Sequence, residues 1–171
     1  RRAMGDSVRP WIGWAARVFL FCLAVAMQAQ VPFERLQKPE PGNWLMYSGN
    51  YSGWRFSALD MLTPANVRGL KVKWMYQART QEKFETTPLV VDGIMYLTQR
   101  LNDVVALDAV TGRVFWIYRY LPDAERIVCC GANNRGLGIL GNTLFMGTLD
   151  AQLIAIDRTT GRPLWQTAVA N

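Results

Sequence analysis

The sequence predicts an all-β protein, a β-propeller built from four-stranded antiparallel blades. Two observations support this fold class. The stretch Ala106–Trp116 returns as Ala155–Trp165, displaced by 49 residues at each matched position, and 91–96 aligns with 140–145 at the same offset. Both copies consist of short apolar runs separated by turn residues, and a fixed period of this kind is typical of propeller blades. The alternative is an ordinary β-sandwich that contains two similar hairpins.

Each repeat holds four short runs that are rich in β-branched and aromatic residues, which favour strands. The predicted strands are 86–91, 94–98, 104–107 and 114–118 in the first repeat, and 136–140, 143–147, 153–156 and 164–168 in the second. Asp92-Gly93 is predicted to form one hairpin tip. The Asp-x-x-Thr-Gly turns are predicted to form another, because Asp accepts bonds from backbone amides ahead of it and Gly adopts positive φ. Trp116 and Trp165 are predicted to be equivalent residues buried between blades.

Composition limits the function classes that fit. Half of the 171 residues are hydrophobic, which is enough for a sizeable core. The net charge is +6, but there is no basic run outside residues 1–29, so a nucleic-acid partner is not predicted. The chain has no histidine, which excludes Ser-His-Asp and Cys-His catalysis and His-based metal sites from this stretch.

Residues 1–29 have the pattern of a secretory signal peptide. The start is basic, Val18–Met27 is an apolar run of ten residues, and small residues follow as possible cleavage sites. An uncleaved membrane anchor that extends back through 11–16 is the alternative. A lipid anchor at Cys22 is disfavoured, because Phe21 stands where a small residue is needed.

Residues 30–70 are predicted to be an N-terminal segment that leads into the blades, and 71–171 the first blades. The aromatic residues of the N-terminal segment indicate either a cover over a sheet or, less simply, a carbohydrate-binding surface; they are Trp44, Tyr47, Tyr51 and Trp54. Thr63–Val67 is predicted to begin a short helical turn with Thr63 as its cap. Leu70–Tyr76 alternates apolar and polar residues, which predicts a strand, and its Trp74 is interpreted as the end of an earlier repeat.

The segment 119–136 interrupts the repeat and carries the candidate chemistry. Adjacent Cys129 and Cys130 favour a disulfide between neighbours in an exported protein, with two buried free thiols as the alternative. Arg135 beside such a rigid platform suits a planar polycarboxylate; alone it would be an ordinary surface arginine. Glu85 aligns with Asn134 at the repeat offset, so both segments are expected to begin their innermost strands at the same depth.

These motifs resemble the PQQ (pyrroloquinoline quinone)-dependent alcohol dehydrogenases, the quinoprotein family that includes methanol and glucose-type dehydrogenases. The resemblance covers nearly all of 40–170. Its pieces are Asn43-Trp44 to Ser57–Asp60, Glu85–Gly93, Cys129-Cys130-Gly131 with Asn134-Arg135-Gly136, and both Asp-x-x-Thr-Gly-x-x-x-Trp repeats.

The resemblance implies an eight-bladed propeller with PQQ on its axis, of which two to three blades lie in this chain. It implies that Cys129-Cys130 packs on one face of the quinone, and that Glu85 and Arg135 contact polar groups of the cofactor. A Ca²⁺ or lanthanide ion is also implied. The family's catalytic Asp, metal ligands and covering Trp are expected beyond Asn171, so no catalytic or metal residue is assigned here and the fragment is expected to be inactive alone.

The implied function is a periplasmic dehydrogenase that oxidises a small alcohol or sugar-type substrate and passes electrons to cytochrome c or a membrane quinone. The alternative is a non-catalytic propeller that acts as a scaffold or sensor in the cell envelope. Such proteins share the repeats but lack the Cys-Cys…Asn-Arg-Gly segment.

Overall fold

A computed structural model describes residues 30–79, 83–123 and 131–170, and the elements below belong to the compact unit Val31–Asn171. The predicted signal peptide at 1–29 and the pair Cys129-Cys130 lie outside the described residues. Within the described ranges, no helix is long and apolar enough to cross a membrane.

Two four-stranded sheets dominate the unit, and each is an antiparallel meander in chain order. The first contains β1 (Leu89–Val91), β2 (Ile94–Thr98), β3 (Val104–Asp108) and β4 (Val114–Tyr118), and the second contains β5 (Gly138–Leu140), β6 (Thr143–Gly147), β7 (Gln152–Asp157) and β8 (Pro163–Ala168). Helix α1 (Phe33–Gln37) and two 3-10 helices (Val67–Gly69 and Arg100–Asn102) complete the described elements. The prediction of four-stranded antiparallel blades is confirmed.

The hairpins form as their turn residues predict. Asp92 and Gly93 both have positive φ, +52° and +80°, which suits the tight turn between β1 and β2. In the turn between β3 and β4, Oδ1 of Asp108 accepts hydrogen bonds from the backbone N–H groups of Val110 and Thr111. Asp157 accepts the corresponding bonds in the second sheet. The repeat therefore extends from sequence to turn geometry.

Two tryptophan side chains lie on hairpin glycines: Trp116 joins the first sheet to the second, and Trp74 joins the segment before β1 to the first sheet. The indole of Trp116 lies so close to Gly161 that a Cβ there would be 2.6 Å from its Cδ2 atom. Trp74 lies against Gly112 in the same way, with its Cε3 atom at 2.6 Å from the position of a Cβ. The indole N–H of Trp116 donates to the carbonyl of Arg158 at 3.2 Å. Trp74 therefore contacts the first sheet in the way that Trp116 contacts the second.

The main core lies between the sheets and under the N-terminal segment. It joins fully buried residues of both sheets with Val31, Leu36 and Leu45 from that segment. Backbone bridges fix the segment in place, because Trp44 pairs with Val90 and Val31 with Gly141. A smaller cluster on the far face of the first sheet is covered by Trp74 and Tyr76; its buried members are Leu97, Val105 and Leu107.

Two strands begin later than predicted. The first was expected from residue 86 but starts at Leu89, because Pro88 has no N–H to donate to a ladder. The second was expected from residue 136 but starts at Gly138. The residues in front of them are still paired, since Thr87 and Gly136 form a parallel bridge.

Three local predictions were wrong. Leu70–Tyr76 is not a strand, because no described strand lies beside it to accept its backbone hydrogen bonds, and it is held by side chains instead. Thr63 is not the cap of the 3-10 helix: Asn66 stands at the N-cap position without a side-chain cap hydrogen bond, and its Oδ1 accepts from the N–H of Thr63, before the helix, at 2.8 Å. Trp165 is 47% exposed, since no described glycine hairpin lies against it.

The equivalence of the two tryptophans holds even though their burial differs. Trp116 is half-buried, and its ring centroid lies 5.9 Å from that of Tyr96. Trp165 lies 6.0 Å from Phe145, which occupies the same position in the second sheet. Each tryptophan therefore packs on the aromatic residue of the second strand of its own sheet.

Candidate functional site

The candidate site lies where the first strand of each sheet begins. The N–H of Thr87 donates to the carbonyl of Arg135 at 3.1 Å, and Thr87 pairs with Gly136 in parallel. Thr87 and Gly136 are 49 residues apart, so equivalent positions of the two repeats are neighbours in space. This confirms that the two segments begin their innermost strands at the same depth.

This arrangement brings Glu85 and Arg135, two of the four predicted cofactor-binding residues, into contact. Nη2 of Arg135 lies 3.0 Å from Oε2 of Glu85. The Arg135 side chain is 59% exposed and the Glu85 side chain 35%, so the pair is open to solvent and to a ligand. Exposed pairs of this kind contribute only about 0–1 kcal/mol to stability, so the pair is more informative about binding than about folding.

An open cavity of about 360 Å³ adjoins this pair, lined by Tyr47, 133–137 and 147–149. Arg135 is the charged residue of this lining. Gly136 follows it with φ of +137°, and a Cβ at that position would lie 3.0 Å from the carbonyl oxygen of Thr87. A glycine is therefore required for the two inner segments to approach each other.

A chain of buried polar side chains lies behind the ion pair and was missed by the sequence reasoning. Nδ2 of Asn134 donates to Oδ1 of Asn102 at 2.9 Å and to the carbonyl of Gly147 at 2.8 Å. The backbone carbonyl of Asn134 accepts from the hydroxyl of Thr98 at 3.0 Å. The same hydroxyl contacts Oγ1 of Thr86 at 2.9 Å. Asn134 stands in the Asn-Arg-Gly motif, which was the one available signal; its partners lie in ordinary strand and turn sequence.

A second polar cluster surrounds Asp150 in the turn between β6 and β7. Its carboxylate accepts from the hydroxyl of Tyr120 at 2.8 Å, from the N–H of Asp123 at 3.1 Å, and from the hydroxyl of Thr148. Burial alone acts to raise the pKa of Asp150, but the donors, led by Thr148 and Tyr120, outweigh it and hold the pKa below its ordinary value. This cluster joins the end of the first sheet to the second.

The other two predicted cofactor residues, Cys129 and Cys130, lie outside the described residues. Within the part of the chain that is described, no three or more His, Cys, Asp or Glu side chains are grouped so that they could hold a metal ion. The described residues nevertheless fit a planar, anionic cofactor. An exposed guanidinium borders an open cavity, and the glycine beside it keeps the backbone clear.

Comparison with known proteins assigns the family. The model of the PQQ β-propeller domain of glucose, ethanol and alcohol dehydrogenases matches residues 44–167. The chain belongs to this quinoprotein dehydrogenase family. The alcohol dehydrogenase (quinone), dehydrogenase subunit, of Gluconacetobacter polyoxogenes is 39% identical over 127 residues, which are 73% of this chain and 17% of that protein.

Two further dehydrogenases are also similar to this chain. The 1-butanol dehydrogenase (cytochrome c) of Thauera butanivorans is 36% identical over 129 residues, 73% of this chain and 18% of that protein. The solved structure of a europium-containing methanol dehydrogenase matches with a TM-score of 0.74 and 35% identity, over 81% of this chain and 25% of that one. The chain thus spans a quarter or less of the length of these relatives.

Proposed function

We propose that this chain supplies two blades and part of the cofactor site of a periplasmic PQQ-dependent dehydrogenase that oxidises an alcohol. The contact between Glu85 and Arg135 beside an open cavity carries the proposal. These two residues are 50 positions apart in the sequence, and the family resemblance implies a cofactor contact for both. The family assignment supports the same chemistry.

In this proposal Arg135 binds a carboxylate of PQQ, because the planar guanidinium fork matches carboxylate geometry. Glu85 orients the guanidinium and accepts a hydrogen bond from it. Cys129 and Cys130 form a disulfide whose flat ring packs on one face of the quinone. When bound, PQQ would supply the oxidising power that removes two electrons and two protons from the alcohol. Ca²⁺ or a lanthanide ion is expected in the same protein.

The names of the relatives support an alcohol rather than a sugar-type substrate. They also support cytochrome c or a quinone as the electron acceptor, since one relative is named for each. Export to the periplasm is proposed from the signal-peptide pattern of residues 1–29. The scaffold or sensor alternative would keep the blades without a functional PQQ site.

The test uses the full-length protein that carries this chain, prepared without PQQ and titrated with PQQ. Arg135→Ala is expected to weaken PQQ binding by about 10- to 150-fold, the loss for one hydrogen bond to a charged group. Arg113→Ala is the matched control, because Arg113 stacks on Phe115 at an exposed hairpin, away from the cavity lining. Thermal melting is recorded alongside for each variant.

Unchanged PQQ affinity in a folded Arg135→Ala variant would show that Arg135 is a structural residue and contradict its proposed role. Absence of PQQ binding by the unsubstituted protein would overturn the dehydrogenase proposal as a whole and favour the scaffold or sensor. The expected result is a weaker affinity for Arg135→Ala with an unchanged melting temperature.

A further inference from the structure

The Glu85–Arg135 ion pair cannot by itself fix the position of the guanidinium. More than half of the Arg135 side chain is exposed. Ordering a long, exposed arginine side chain costs about as much in rotamer entropy as one surface ion pair returns. The precision of the site therefore has to come from the backbone on which the two side chains are carried.

That backbone is held by Asn134. The Asn134 side chain accepts from the N–H of Gly136 at 3.1 Å, which closes a tight loop around Arg135. The same side chain donates to the carbonyl of Gly147 in the second sheet and to Asn102, which ends the 3-10 helix between β2 and β3 of the first sheet. With only 8% of its surface exposed, Asn134 is protected from competing water.

The partner of Arg135 is held by the same network. Thr98 donates to the carbonyl of Asn134, and its hydroxyl contacts that of Thr86, the residue after Glu85. The N–H of Thr98 also donates to Oγ1 of Thr86 at 3.1 Å. Buried hydrogen bonds of this kind are strongly directional and costly to leave unmade. The residues next to Glu85 and Arg135 in the sequence are therefore joined by one hydrogen-bonded network that includes Asn134.

We propose that Asn134 is a positioning residue for the cofactor site, which sets the backbone of Arg135 relative to Glu85 and thereby the affinity for an anionic, planar cofactor. This inference rests on the proposed function. Asn134 does not touch the cofactor in this proposal; it acts through Arg135.

The experiment is a double-mutant cycle in the full-length protein, read out by PQQ titration of the apo form and by thermal melting. Asn134→Ala is expected to weaken PQQ binding by about 5- to 50-fold in the presence of Arg135. In the Arg135→Ala background the same substitution is expected to change the affinity by less than about twofold, because the group through which it acts is gone.

Tyr96→Phe is the matched control for lost stability. It removes a buried hydrogen bond between the sheets, from the Tyr96 hydroxyl to the carbonyl of Arg158, outside the cavity lining. It is expected to lower the melting temperature with PQQ affinity unchanged. Thr98→Val replaces Asn134→Ala if that variant does not fold. It removes the hydroxyl that donates to the backbone carbonyl of Asn134. It is expected to weaken PQQ binding by about 2- to 10-fold, again only when Arg135 is present.

Equal losses of affinity with and without Arg135 would overturn the inference, since Asn134 would then act on the fold in general. Unchanged affinity in folded Asn134→Ala, or a Tyr96→Phe loss as large as that of Asn134→Ala, would overturn it as well. If Arg135→Ala weakens binding while Asn134→Ala does not, only the positioning role fails. If the unsubstituted protein binds no PQQ, the proposed function fails and the positioning role fails with it.

Discussion

Aspartate carboxylates order the turns of both sheets. In the first sheet Asp108 accepts two backbone N–H groups, and those of Thr111 and Val110 lower its pKa below the ordinary value. In the second sheet burial acts to raise the pKa of Asp157, but hydrogen bonds, led by the backbone N–H of Thr160, lower it overall. A carboxylate that is held charged in this way stabilises its turn at neutral pH.

Asp150 is more buried than Asp108 and Asp157, and its hydrogen bonds predict how the stability of the protein depends on pH. Its folded pKa lies below its ordinary value, so its contribution is complete above that ordinary value and is lost as the pH falls through the folded pKa. Asp150→Asn is expected to lower the free energy of unfolding by about 1–3 kcal/mol at pH 7. The difference from the unsubstituted protein is expected to shrink between pH 5 and pH 3, as measured by denaturant unfolding at each pH.

Asp60→Asn is the control for the change in net charge, because Asp60 is exposed in the N-terminal segment. It is expected to alter stability by less than about 0.5 kcal/mol at pH 7. If the Asp150→Asn difference stays constant down to pH 3, the carboxylate charge is not what stabilises this cluster.

At the scale of elements, the glycine in the turn between the third and fourth strands of each sheet lies against a tryptophan from earlier in the chain. Gly161 has φ of +71° and lies under the Trp116 indole, so Gly161→Ala meets two penalties. The left-handed backbone costs roughly 1–2 kcal/mol for a residue with a Cβ, and displacing the indole adds about 1–3 kcal/mol. We expect a loss of about 2–5 kcal/mol in the free energy of unfolding, measured by denaturant titration.

Gly93→Ala separates these two penalties. Gly93 also sits at a hairpin tip with positive φ, +80°, but nothing lies within 4 Å of the position of its Cβ. It is expected to lose only the backbone part, roughly 1–2 kcal/mol. Equal losses for the two variants would mean that the Trp116 contact contributes nothing to the packing of the sheets.

Most of the blade architecture could be predicted from the sequence, because turn chemistry and period are local. The strands 94–98 and 114–118 were placed at their observed bounds, and the Asp-Gly tip was identified from two residues. Pairing is not local, so Leu70–Tyr76 was wrongly predicted as a strand. Its alternation was correctly read at Trp74 and Tyr76, but a strand also needs a neighbour in the sheet.

At the scale of the whole molecule, the site depends on both sheets. Glu85 and Arg135 are candidates from the sequence because family motifs carry them, and the structure shows that they are in contact. The network of Thr98, Asn102 and Asn134 could not, because its residues have no common spacing and meet only when the inner segments lie side by side. Asn102 has φ of +70°, which Asn adopts more readily than most residues with a Cβ, but an Asn alone does not identify such a position in the sequence.

The whole protein is also predicted to mature outside the cytoplasm, and its two sequence signals can be tested together. Residues 1–29 predict export and cleavage, and an oxidising compartment favours a bond between Cys129 and Cys130. Cys22 would leave with the signal peptide, so Cys129 and Cys130 are the two cysteines of this sequence that remain. Mass spectrometry of the periplasmic protein under non-reducing conditions is expected to show a chain without its first residues, and a peptide with both cysteines that is two hydrogens lighter than the reduced form.

The same protein expressed without residues 1–29 and kept in the cytoplasm is the control, with two alkylatable thiols expected. Two alkylatable thiols in the exported form would contradict the disulfide and remove the rigid ring from the proposed PQQ site. The role of Arg135 is tested separately, by the PQQ titration of the Arg135→Ala variant.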